Sequence, residues 1–85
     1  MFKIPYPAEE VRWRDVVSSN VRQVGWDSRG NMYVIYRDTS DEGRNTMYAY
    51  VDVPRQRVVA ASRAKSVGKY INEHIKPHHE AVKLR

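Results

Sequence analysis

The sequence predicts an α+β domain, a three-stranded antiparallel β-meander followed by two short helices packed on one face, in the order β-β-β-α-α. Two patterns carry that expectation. Runs of β-branched and aromatic residues over 16–26, 32–37 and 46–52 are separated by polar, turn-forming segments at 27–31 and 38–45, as strands joined by hairpins require. Beyond Pro54 the period changes, and Val67, Tyr70, Ile71, His74 and Ile75 recur at helical spacing.

Eighty-five residues bound what such a fold can do. A chain of this size buries about 60 to 65 per cent of its unfolded surface, enough for one small core. Aromatic residues, 11% of the sequence, supply much of the material to be buried. There is no cysteine, so disulfides and thiolate metal sites are excluded and the fold rests on packing. No stretch of 18 apolar residues and no signal-peptide pattern occurs, so a soluble, cytoplasmic protein without membrane contact is expected. The net charge of +5 is unevenly placed: seven Lys/Arg balance seven Asp/Glu over residues 1–45, whereas eight face three over 46–85. Excess positive charge on the helical half favours a polyanionic partner.

In chain order, residues 1–15 form an N-terminal arm. Pro5 and Pro7 impose extended backbone at Ile4 and Tyr6, and residues 8–14 suit about one helical turn. Trp13, between Arg12 and Arg14, offers a stacking ring with two cations, but an exposed indole is costly, so an arm folding back to bury it is favoured. Residues 16–26 read as the first strand. Val21, Val24 and Trp26 do not alternate strictly, which predicts a bulge with Gly25 as its permissive residue.

The second strand, 32–37, is apolar on both faces. In the third, Met47, Ala49 and Val51 share one face while Tyr48, Tyr50 and Asp52 share the other. The smaller set suits contact with helices and the tyrosines suit a half-wet face. Pro54 fits the first position of a helix running through Val58, Val59 and residues 61–64. Ser66 fits the N-cap of a second helix, which Pro77 ends. Opposite its apolar stripe, Lys65, Lys69, Asn72 and Lys76 fall in one sector as a basic ridge, which a solvated lysine face explains equally well. Residues 16–76 are thus the domain and 77–85 a polar tail.

Several short motifs stand in order along this frame: Ser18-Ser19-Asn20-Val21, Val24-Gly25-Trp26-Asp27, Tyr48-Ala49-Tyr50, Val53-Pro54, and Ala64-Lys65-Ser66-Val67-Gly68-Lys69-Tyr70-Ile71-Asn72 with Ile75. On these the chain resembles the KTSC domain family over residues 17–75. The family is named for the C-terminus of some lysyl-tRNA synthetases and also occurs as stand-alone proteins in bacteria and their phages. Trp26 replaces the family's usual tyrosine, and the loop at 38–45 is longer. The resemblance implies a bacterial or phage origin and, through the tRNA enzyme, suggests RNA binding by analogy.

The residues support catalysis poorly. Ser18, Ser19 and the scattered acids have no base or oxyanion partner at fixed spacing, and no glycine-rich phosphate loop occurs. His74, His78, His79 and Glu80 have metal-ligand types, but Pro77 interrupts their helix, so no metal or other cofactor is expected. A small non-catalytic binding module is the favoured reading, engaging a protein partner or a second copy of itself. The alternative is RNA or another single-stranded nucleic acid. Here Tyr48 and Tyr50 look away from the helices, with Trp26, to stack bases, while Arg55, Arg57, Lys65 and Lys69 draw phosphates. Against both stands simple packing of the tyrosines in the core.

Overall fold

The computed structural model describes residues 11–37 and 46–84. The element order is β1 (Arg12–Asp15), β2 (Val21–Trp26), β3 (Met32–Tyr36), β4 (Thr46–Tyr50), α1 (Arg55–Arg63), α2 (Val67–Tyr70) running on as a π-helical turn (Ile71–Ile75), and β5 (Ala81–Lys83). The α+β class and the two-helix layer follow the sequence reading, but the sheet has five antiparallel strands in the order β1-β2-β3-β4-β5. Arg12, Trp13 and Arg14, expected in a helical turn of the arm, form an edge strand, and the expected polar tail supplies the opposite edge. The extended backbone expected at Ile4 and Tyr6 and the loop over 38–45 lie outside the described residues.

The β2–β3 hairpin is organised by Asp27. Its Oδ1 accepts the backbone N–H groups of Arg29 (2.9 Å) and Asn31 (3.0 Å), and its Oδ2 accepts Asn31 Nδ2 (3.1 Å) and the Tyr33 hydroxyl (2.7 Å). Gly30 closes the turn at φ 88°, a left-handed conformation open to glycine at little cost. Its carbonyl then accepts the Val53 N–H at 2.8 Å, which ties the start of the helical layer to the hairpin.

A bulge does break the alternation in β2, but at Arg22. Val21 pairs with Tyr36 and Gln23 with Ile35, so the extra residue lets Val21 and Val24, three apart, both point at the helices. Gly25 has a different task. A Cβ there would lie 2.7 Å from Val11 Cγ1 and 2.9 Å from Trp13 Cε3. The bare backbone lets the Trp13 ring cross to Tyr33, 6.1 Å between centroids. One cross-strand row therefore reads Trp13, Gly25, Tyr33, Ala49, Val82, with small residues seated between large ones. Trp13 packs on the sheet, as the folded-back reading required.

The main core lies between the sheet and the helices. Val21, Val24, Met32, Val34 and Tyr50 meet Val58, Ala61, Val67, Ile71 and Ile75, with Trp26, Tyr36, Tyr48 and Tyr70 packed at its margin. The helices thus cover the face that bears the tyrosines, the reverse of the expectation for β4. Register explains it: Tyr48 pairs with Val34 and Tyr50 with Met32, and these share a side with Val24. Met47 and Ala49 lie on the opposite face and are buried as well.

Pro54, expected as the first helical residue, is the N-cap of α1, which begins one residue later, and its carbonyl accepts Arg57 N–H (2.9 Å) and Val58 N–H (3.2 Å). Ser66 is the N-cap of α2 with no side-chain cap bond. Gly68 brings α2 against the β1–β2 turn, where a Cβ would come within 2.7 Å of the Asn20 amide. The π turn is closed by Lys76 N–H donating to Ile71 O at 2.9 Å, five residues back. His74, expected on the apolar stripe, is exposed with its ring 4.6 Å from Tyr70. Lys76, expected on the basic ridge, places its ammonium over the Tyr36 ring, at 5.7 Å.

Candidate binding surface

Two open depressions flank the helical layer, one at each edge of the sheet. The first, of about 710 Å³, is bounded by Val11, Arg12, Trp26, Gly30, Val53 and Arg55. Arg12 and Trp26 face each other across β1 and β2, and Arg55, first residue of α1, places its guanidinium 5.4 Å from the Trp26 ring centroid. Such a cation over an indole keeps its outer side available to an acceptor. Asp27 also lines this depression, but its carboxylate is taken by the hairpin. Burial pushes the Asp27 carboxyl up, while the bonds from Asn31 N–H, Tyr33 OH, the Asn31 side chain and Arg29 N–H outweigh that and hold it below its ordinary value. Among the described residues neither Arg12 nor Arg55 has a carboxylate partner; the ion pair that forms there joins Lys69 to Glu73 at 4.0 Å.

The second depression, of about 510 Å³, lies between β4, β5 and the π turn and is lined by Tyr36, Thr46, Tyr48, Tyr50, Lys76, Ala81 and Lys83. The Tyr36 and Tyr50 hydroxyls are hydrogen-bonded at 2.9 Å. Tyr48 meets Tyr36 edge-on at 5.8 Å and lies nearly parallel to Tyr50 at 6.5 Å. Burial, foremost, raises the pKa of both Tyr36 and Tyr50; the Tyr50 hydroxyl raises Tyr36 further, whereas the bond from Tyr36 lowers Tyr50 somewhat. Both phenols stay protonated well beyond neutral pH.

Of the residues singled out in the sequence, Trp26 and Arg55 come together in the first depression. Tyr48 and Tyr50 come together in the second, on the helix side of the sheet rather than the outward side; Tyr50 is only 1% exposed. The outward-facing pair of stacking rings is therefore corrected by the pairing register. Arg57, Lys65 and Lys69 are exposed on the helices and line neither depression. Sequence reasoning missed Tyr36 and Lys83, and it set Arg12 beside Trp13 and Lys76 on the basic ridge rather than at these depressions. Tyr36 was readable, since it shares strand parity with Met32 and Val34, whereas Lys83 needed a fifth strand that three residues of sequence do not announce. No group of three His, Cys, Asp or Glu side chains that could hold a metal occurs among the described residues. No described helix is long and apolar enough to cross a membrane.

No curated protein sequence matches the chain. Among solved structures, the crystal structure of a KTSC domain protein from Yersinia pestis superposes with a TM-score of 0.72, at 21% identity, covering 88% of this chain and 99% of that one; the likeness is one of fold. The KTSC domain model matches residues 17–79, and those residues hold the Asp27 hairpin, the Tyr36–Tyr50 pair and the Gly68 contact described above. The chain belongs to the KTSC domain family.

Proposed function

We propose that this KTSC domain is a non-catalytic binding module whose ligand is RNA or another single-stranded nucleic acid. The observation that carries this is the Arg55 guanidinium 5.4 Å over the Trp26 ring with Arg12 beside it, in an open depression whose one carboxylate among the described residues is committed to internal hydrogen bonds. Planar cations and indoles take bases on their faces without reading sequence, and arginine adds bidentate contact to phosphate. Exposed Arg57, Lys65 and Lys69 extend the positive field along the helices and act on approach rather than in the depression. Among the described residues Val17 is the one large hydrophobic group that is exposed, so the surface offers polyanions more than it offers an apolar partner.

The test is titration of labelled single-stranded oligonucleotides at a series of salt concentrations. Arg12→Gln and Arg55→Gln change exposed side chains and leave the core intact. Each is expected to reduce the slope of log affinity against log salt by about 0.7, and Trp26→Leu to weaken binding roughly ten-fold. Absence of binding at low salt, or slopes that both arginine variants leave unchanged, removes the reading.

A second reading, association with a protein or a second copy, is favoured by the sheet edge. β5 is the last strand in the order, and its outer backbone edge suits an added strand. It predicts association that survives high salt and a mass that rises with concentration; a mass that stays constant under both conditions excludes it.

A further inference from the structure

The depression between β4, β5 and the π turn has a chemistry of its own. Among the described residues every polar side chain lining it can donate a hydrogen bond, namely the hydroxyls of Tyr36, Thr46, Tyr48 and Tyr50 and the ammonium groups of Lys76 and Lys83, and none is acidic. The Tyr36–Tyr50 bond uses one of its two hydroxyl protons, and the donors open to a ligand are the half-buried Thr46 and Tyr48 hydroxyls and the two exposed lysines. Lys76 stands over the Tyr36 ring, and Lys83 lies opposite Tyr48 in the β4–β5 register, so two cations stand on different elements around a wall of phenol rings.

We infer that this depression is a binding site for a phosphomonoester joined to a flat ring, that is, a nucleoside monophosphate. Two ammonium groups match the charge of a phosphomonoester, close to two at neutral pH, better than that of a monoanionic diester or carboxylate. Tyr48, half-buried at the rim, offers its ring to the base. A volume of about 510 Å³ falls within the range of small-molecule sites. The site lies at the opposite sheet edge from the Trp26 depression and does not rest on the reading given for that one. Its ligand has two sources, a free mononucleotide and the phosphorylated end of a strand.

The test follows the amide spectrum of the full chain during titration with adenosine monophosphate, adenosine, inorganic phosphate, and a short adenosine oligonucleotide with and without a terminal phosphate. Adenosine monophosphate is expected to saturate with shifts centred on Thr46, Tyr48 and Lys83, and to bind more tightly than adenosine or phosphate alone. Lys76→Gln and Lys83→Gln, both at exposed positions, are each expected to weaken it roughly five- to ten-fold, while Arg22→Gln, exposed and lining neither depression, leaves it unchanged. A terminal phosphate that tightens the oligonucleotide through the same lysines identifies strand ends as a source. Adenosine binding as well as its monophosphate, phosphate alone binding as well, indifference to both lysine variants, or no saturable shift would each overturn the assignment.

Discussion

Replacing Asp27 by Asn removes one negative charge at a residue that is 7% exposed and accepts four hydrogen bonds. Asn retains one acceptor oxygen for the two backbone N–H groups, but its amide nitrogen then faces the Asn31 amide, donor against donor, and the Tyr33 hydroxyl loses an anionic acceptor. Hydrogen bonds to charged groups contribute about 1.5 to 3 kcal/mol each, and neutral ones about 1. Two bonds weakened by about 0.5 kcal/mol each and two lost at about 1.5 each, the low end of those figures, predict about 4 kcal/mol, a large share of the roughly 5 to 10 kcal/mol typical of so small a domain. In a thermal melt near pH 7 this is a fall of roughly 16 to 32 °C. The pH dependence gives an independent check. The folded pKa of Asp27 lies below the ordinary 3.8, so its stabilisation is fully present above that value and is lost as pH falls through the folded pKa. Wild type should therefore lose stability on acidification more steeply than Asp27→Asn, and the two melting curves should converge. A variant that melts within 2 °C of wild type at pH 7, by the same scale, or a gap that stays constant to low pH, refutes the account of the hairpin.

Gly25→Ala places a methyl group against Val11, Trp13 and the Arg12 carbonyl and should lower stability by about 1 to 3 kcal/mol in denaturant titration; an unchanged midpoint would mean that the Trp13 strand does not lie over this residue. Tyr36→Phe and Tyr50→Phe, alone and combined, should show a coupling of about 1 kcal/mol in a double-mutant cycle, and additive losses would show that the hydroxyl bond contributes nothing. The same tyrosines, with Tyr33, have raised folded pKa values, so their contribution is complete below pH 10 and lost above it. Ultraviolet titration of phenolate should show part of the signal delayed until the chain unfolds, and six tyrosines ionising together near pH 10 would contradict that burial.

Much of the frame is legible in the residues. The three central strands, the Asp27 to Asn31 turn and the Pro54 and Ser66 helix starts all follow from local rules. The covered face of β4 does not, because both faces of β3 and β4 carry apolar groups, and period-two parity separates the faces without ranking them. The answer lay in size matching. Gly25 and Ala49 are small so that Trp13, Tyr33 and Val82 can lie beside them, which assigns Met47 and Ala49 to the Trp13 side and the tyrosines of β4 to the helices. The edge strands were hidden for another reason: Arg-Trp-Arg-Asp and Ala-Val-Lys each hold one large apolar residue, too little for any period. Of the candidate site, Trp26 and Arg55 were visible as residue types, but their neighbour Arg12 required the β1–β2 register, and Lys76 required a turn that bonds five residues back.

The β4–β5 ladder joins Tyr48 to Lys83, positions 35 apart along the chain, and it is latched at both ends by Leu84 N–H to Met47 O at 2.8 Å and Val51 N–H to Glu80 O at 3.0 Å. Drawing together a segment of that length costs about 3 kcal/mol of chain entropy, whereas β2, β3 and β4 zip through neighbouring hairpins. The closing strand therefore assembles after the helices have reversed the chain's direction, and it is the natural first piece to let go. Amide protons on the outer side of β4 should exchange with solvent earlier than those buried between β2 and β3, and the phenol-walled cavity should empty its contents each time that seam opens.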